Sequence, residues 1–143
     1  EDFTVKAPAE AVWNKICEPC SLSQWHDGLA ECKESTDEQG RVTRHYVMHA
    51  AGDAPAVKMF EVELLRSDPI MTITYVVDVE NLPLSDYHAQ ITVTPLTASH
   101  CRVMIRSRFV RVETNMPGVD ARDIVSDFYI MGLSKLSEIM RQD

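Results

Sequence analysis

None of the apolar runs in this 143-residue sequence is long enough to cross a membrane, and no Gly-x-Ser-x-Gly turn marks an activated serine. Positive charge is scarce as well. Lys and Arg total 14 against 22 Asp and Glu, a formal charge of −8 at pH 7, and the basic residues are scattered. That balance argues against a nucleic-acid backbone or an anionic membrane as partner. Cys17-x-x-Cys20 lacks the second pair that zinc needs and the βαβ context that a thioredoxin motif needs. His45 and His49 lie four apart in a strand pattern, about 13 Å along one face and too far to chelate. His88 and His100 add no metal spacing, so neither a metal nor a cofactor is expected. There is no internal repeat and no low-complexity segment, and residues 1–143 as they stand are not expected to include a signal peptide. The chain starts at Glu1 without an initiator Met, as after removal of a signal or trimming.

What is present is enough for one domain, 1–143, with a core that stands without metal or disulfide help. Phe3 and Val5 alternate with polar neighbours as a short strand does. Pro8 opens a helix with Ala11, Val12, Trp13 and Ile16 on its apolar side, and Pro19 ends it. Residues 21–28 form a second short helix, capped by Ser21 or Ser23 and stopped by Gly28. From 29 to 112 strands follow one another between turn-forming clusters. In 70–79 the odd positions Met71, Ile73, Tyr75, Val77 and Val79 are apolar; Tyr87, Ala89, Ile91 and Val93 repeat the pattern, as do Val103, Ile105 and Phe109. These strands are half wet and antiparallel. Residues 120–141 then have helical period, with Asp120 as N-cap and Ile124, Val125, Phe128, Met131, Leu136, Ile139 and Met140 on one stripe. The result is an α+β fold: a curved antiparallel sheet of about seven strands wrapped around a long C-terminal helix, with two short helices after the first strand. Such a sheet cannot touch one helix along its whole surface, and Gly132 on the helix stripe is expected to widen the pocket that remains.

Ala7-Pro8-Ala9-Glu10-Ala11-Val12-Trp13, Trp25-His26, Leu82-Pro83-Leu84-Ser85-Asp86-Tyr87, Val93-Thr94-Pro95 and residues 129–133, in this order and spacing, resemble the START-like (SRPBCC, helix-grip) superfamily in its bacterial polyketide cyclase/dehydrase-like branch. The resemblance covers nearly the whole chain. It implies a cavity for apolar small molecules but no single reaction, since enzymes, carriers and receptors share the fold. Relatives often carry an inward glutamate on the strand after the first flexible loop. Alignment on Leu64 and Asp68 puts Val62 there, and alternation points Phe60, Val62 and Leu64 inward with Glu61 and Glu63 outward, so that carboxylate is expected to be missing. The plant abscisic-acid receptors, similar in fold, hold a ligand carboxylate with a lysine where this chain has Ala30.

The expected ligand-binding residues are Trp25, Phe60, Val62, Met71, Ile73, Tyr75, Leu84, Tyr87, Ala89, Ile91, Phe109, Phe128 and Gly132. His26, Tyr75 and Tyr87 are the weak catalytic candidates, against plain packing roles. Asp78, Glu80 and Asp86 read as solvated turn charges. Cys20 and Cys32 flank the second short helix and are placed to form a disulfide in an extracytoplasmic compartment; the alternative is four reduced thiols in the cytoplasm. Two connections, 50–56 and 81–86, match the gate and latch loops of the plant receptors. The expected function is binding or transport of an apolar or aromatic small molecule, such as a lipid or polyketide, by a monomer or weak dimer. A polyketide cyclase or dehydratase is the alternative, and a protein-interaction module with a filled core the second.

Overall fold

The computed structural model describes residues 1–49, 56–80, 82–112, 118 and 120–141. The elements run β1 (Asp2–Val5), α1 (Ala9–Cys17), α2 (Leu22–Trp25), β2 (Leu29–Thr36), β3 (Val42–Met48), β4 (Lys58–Ser67), β5 (Thr72–Val79), β6 (Leu84–Pro95), β7 (Cys101–Arg111) and α3 (Ala121–Met140). The seven strands form one antiparallel sheet in the order β1-β7-β6-β5-β4-β3-β2. This is the helix-grip α+β arrangement. Register shifts at Leu29/Glu31, Glu63/Leu65 and Ser85/His88 add local bend and twist to the curl. No helix among the described residues is long and apolar enough to cross a membrane.

Local chemistry explains the elements that position the site. Pro8, extended at φ −60° and ψ 141°, caps α1, and its carbonyl accepts the Val12 N–H at 3.2 Å. Ala9, Val12, Trp13 and Ile16 are then buried on one side of α1. The Trp13 indole N–H donates to Asp68 Oδ1 at 2.9 Å, tying the helix to the β4–β5 turn. Asp120 caps α3 by accepting the Arg122 N–H at 2.9 Å. A disulfide joins Cys20, ahead of α2, to Cys32 in β2, while Cys17 and Cys101 are free.

Two expectations about facing fail. The buried face of α3 consists of Ala121, Val125, Tyr129, Gly132, Leu133 and Leu136, whereas Met131 is 51% and Ile139 41% exposed. Apolar residues occur on most sides of this helix, so period alone does not choose its inner face; packing of Trp25 and His26 against Gly132 does. In β4 the inward set is Met59, Glu61 and Glu63, and Leu64 at the register shift is exposed. Phe60 and Val62 lie on the opposite, half-buried face, where Phe60 packs on His45 with ring centroids 4.5 Å apart. The carboxylate expected to be missing is therefore present, as Glu61. Residues 50–55 of the first expected gate, and residue 81 of the second, lie outside the described residues.

Candidate functional site

Every tyrosine of the chain, Tyr46, Tyr75, Tyr87 and Tyr129, borders one small chamber of about 50 Å3 between sheet and helices. Ile73, Val77, Ile91 and Ile105 supply its apolar wall, and Trp25, His26 and Phe128 close the helical side. Alternation on β3, β5 and β6 brings three of the phenols inward, and α3 brings the fourth. Tyr87 and Tyr129 share a hydrogen bond between their hydroxyls. Burial pushes the Tyr46, Tyr75 and Tyr87 phenols far above their usual range and Tyr129 up to about 12, so all four are neutral donors.

At the head of the chamber lies a ladder of charge. Glu34, Arg44 and Glu61 are direct cross-strand partners on β2, β3 and β4. Arg44 Nε donates to Glu34 Oε2 at 3.2 Å and Nη2 to Glu63 Oε2 at 3.0 Å. Glu63 also receives Arg66 Nε at 2.7 Å and Nη2 at 2.9 Å. Arg44 Nη1, by contrast, stands 3.8 Å from Glu61 Oε2, whose hydrogen bond comes from the Tyr46 hydroxyl at 3.4 Å. Burial is the largest influence on both carboxyls. At Glu63 the two guanidinium groups outweigh it and hold the group below the usual range. At Glu61, 6% exposed, burial prevails over Arg44 and Tyr46 and pushes the carboxyl up to about 7. The site thus holds one carboxyl able to exchange a proton near neutrality.

His26 is the hinge of the helical wall. Its Nδ1 accepts the Gly28 N–H at 3.0 Å, which leaves the proton on Nε2 to donate to the Phe128 carbonyl at 2.9 Å. Burial lowers its pKa and favours this neutral form. Both glycines nearby are needed for the approach. A Cβ on Gly28 would meet His26 Cε1 at 2.8 Å, and one on Gly132 would meet Trp25 Cζ3 at 3.0 Å and His26 Cδ2 at 3.1 Å. The His26 ring stacks on Phe128 with centroids 3.9 Å apart. Beyond that pair lies an apolar vestibule of about 290 Å3, bounded by Met48, Val79, Leu82, Leu84, Ile124, Val125 and Met131. His26, Met59, Tyr87 and Phe128 border both spaces, so the partition is one side chain thick.

Of the residues singled out from sequence, Trp25, His26, Ile73, Tyr75, Tyr87, Ile91 and Phe128 border the chamber, and Leu84 the vestibule. Phe60 and Val62 do not, for the facing reason above. Met71 occupies the turn before β5 at φ 46° rather than an inward strand position. Ala89 is buried on the inward face, and Phe109 stacks on Tyr87 at 5.9 Å, yet neither borders the chamber or the vestibule. Gly132 does not widen the cavity: Trp25 and His26 fill the space it leaves. Sequence reasoning missed Arg44, Tyr46, Met59, Glu61 and Tyr129. The usable signal was charge: an arginine amid inward strand residues requires carboxylates on both neighbouring strands, and Glu34 and Glu61 supply them. Asp78 and Asp86 are exposed. Among the described residues no group of three His, Cys, Asp or Glu is arranged to hold a metal.

This combination, a curved sheet gripping a C-terminal helix around a polar chamber, defines a cavity protein of the helix-grip class. The sequence matches the family described as polyketide cyclase / dehydrase and lipid transport over residues 1–140, and the chain belongs to that family. No curated protein sequence matches it. Among solved structures it is similar to an uncharacterized protein from Bacillus thuringiensis, with 20% identity, a TM-score of 0.78, and 99% of this chain and 97% of that one covered. It is also similar to the Zhui aromatase/cyclase from Streptomyces sp. R1128, with 14% identity, a TM-score of 0.79 and coverage of 98% and 90%. A START superfamily protein from Mycobacterium smegmatis shares 12% identity at a TM-score of 0.77 over 99% and 95%. At these identities the likeness concerns the fold.

Proposed function

We propose that this protein binds an apolar small molecule, aromatic or lipid-like, with its body in the vestibule and one polar end turned through the partition into the chamber. The observation that carries this reading is the adjacency of the two spaces: an apolar vestibule near the lower end of ordinary ligand-pocket volumes, backed by a chamber of phenols and a carboxyl. Binding energy would come mainly from apolar burial, and orientation from the polar end. The family's description supports a lipid or polyketide as the molecule. The Cys20–Cys32 disulfide supports an oxidising, extracytoplasmic setting. Native mass spectrometry of protein isolated from its own host, before and after solvent extraction, tests the reading. The expected result is an adduct of small-molecule mass that extraction removes. A bare chain that also fails to take up added naphthalene would contradict it.

One observation favours a second reading, catalysis. A buried carboxyl poised near pH 7 beside neutral phenols can take a proton from a carbon next to a carbonyl and later return one to a departing hydroxyl, the chemistry of ring closure and dehydration. Glu61 would be the base, and Tyr46 its hydrogen-bonding partner. Glu61→Gln separates the readings: an enzyme loses turnover and keeps binding, whereas a carrier has no turnover to lose.

A further inference from the structure

The chamber's hydrogen-bonding groups are unevenly committed. Among the described residues, Arg44 directs Nε to Glu34 and Nη2 to Glu63, while Arg66 is held by Glu63 and the Cys17 carbonyl. His26 has both ring nitrogens engaged and is neutral, and Tyr87 and Tyr129 are bonded to each other. The ladder contains three carboxylates, Glu34, Glu61 and Glu63, against two guanidinium groups. When all five are ionised, one negative charge is left over, and the distances place it on Glu61, the carboxylate without a guanidinium at hydrogen-bond distance. Glu61 Oε2 takes the Tyr46 hydroxyl; no hydrogen bond reaches Oε1 among the described residues. Tyr75 borders the same chamber, and its hydroxyl likewise has no hydrogen bond to a described residue.

Apart from Arg44 Nη1, which stands 3.8 Å from Glu61, the groups left to meet a ligand are therefore one anionic acceptor and one neutral hydroxyl. A ligand hydroxyl suits both, donating to Glu61 and accepting from Tyr75. A ligand carboxylate has no proton to donate, meets in Arg44 a cation already shared among Glu34, Glu61 and Glu63, and brings a second negative charge beside the first among buried side chains. Resting on the reading of the cavity as a site for an apolar molecule with one polar end, we propose that the chamber selects ligands whose buried end is a neutral hydrogen-bond donor, a phenol or alcohol, and turns carboxylates away. Glu61 is then the specificity-determining residue. The class of substrate is a hydroxylated aromatic or lipid alcohol rather than a fatty acid or aromatic acid.

Three probes of one shape test this: naphthalene, 2-naphthol and 2-naphthoate, titrated at pH 8 into the full chain and into Glu61→Gln, with affinity read by calorimetry and the fold of the variant checked by circular dichroism. A hydrogen bond to a charged acceptor leads to an expected preference for naphthol over naphthalene of at least about tenfold in the unaltered protein, with naphthoate the weakest of the three. In Glu61→Gln, naphthoate should gain at least about tenfold relative to naphthol, because the repelling charge is gone. Naphthoate binding as tightly as naphthol to the unaltered protein would overturn the selectivity while leaving the cavity reading intact, and so would an unchanged ranking in a folded variant. If none of the three binds, the cavity reading and the selectivity fall together. The ranking in the unaltered protein decides the matter even if the variant does not fold.

Discussion

Replacing Glu61 with Gln should change how stability depends on pH. In the folded protein, burial pushes this carboxyl from an ordinary 4.5 to about 7. Between those values the folded state holds a proton that the unfolded chain releases. The stability contributed by protonated Glu61 is therefore complete below about pH 4.5 and is lost as pH rises through about 7. At ~1.4 kcal/mol per pH unit, the interval corresponds to about 3 kcal/mol. Glutamine is neutral throughout and keeps what the carboxyl loses. The variant's stability relative to the unaltered protein should thus rise by up to about 3 kcal/mol from pH 5 to pH 8. Titration of His26, whose depressed pKa acts in the opposite direction, is common to both proteins and cancels in the difference. Urea unfolding at pH 5, 6, 7 and 8, followed by circular dichroism with the disulfide intact, measures that difference. A gap that stays constant, or that moves against the variant as pH rises, would show Glu61 ionised throughout, and would remove the physical basis for its role as a proton-exchanging carboxyl near neutrality.

Other expected outcomes follow from the same contacts. Arg44→Met removes the cation shared by Glu34, Glu61 and Glu63 and should cost ~3–5 kcal/mol in thermal or urea unfolding; adding Glu61→Gln should recover part of it, and strict additivity of the two changes would argue against the ladder. Gly132→Ala gains ~1 kcal/mol of helix propensity but drives a Cβ to 3.0 Å from the Trp25 ring and 3.1 Å from that of His26. Both rings are buried and hydrogen-bonded, so a net loss of about 1–2 kcal/mol is expected in unfolding, and a more stable variant would mean the rings move freely. Reducing Cys20–Cys32 should lower stability by about 2–3 kcal/mol. Thiol titration of the denatured protein should find Cys17 and Cys101 reactive before reduction and all four cysteines after; four reactive thiols at the outset would contradict the bridge.

Much of the sheet was legible because period-two alternation in β5, β6 and β7 has one cause, a single dry face, and Ile73, Tyr75, Tyr87 and Ile91 fall on it as expected. The same logic failed in β4. There the apolar residues Phe60 and Val62 take the half-buried face and two glutamates go inward, an arrangement made tolerable by Arg44, Arg66 and Tyr46. Burial of a charge depends on partners brought in by other strands, so hydropathy within one strand cannot show it. The inner face of α3 was hidden for a related reason. Its choice rests on the fit of Trp25 and His26 over Gly132, a contact between segments about a hundred residues apart. The Cys20–Cys32 pairing was easier to anticipate because the two cysteines flank one short helix at a separation of 12 residues.

The most direct test of a ligand site at the chamber and vestibule is to observe where an apolar molecule binds. With Met and Ile methyl groups labelled, a filtered nuclear Overhauser experiment on the naphthalene complex should show cross-peaks to Met48 and Met131 in the vestibule and to Met59 at the partition. Opening of the partition would add Ile73. Contacts confined to exposed Ile70, or saturable binding with no cross-peak to any of these methionines, would place the ligand elsewhere and contradict the account.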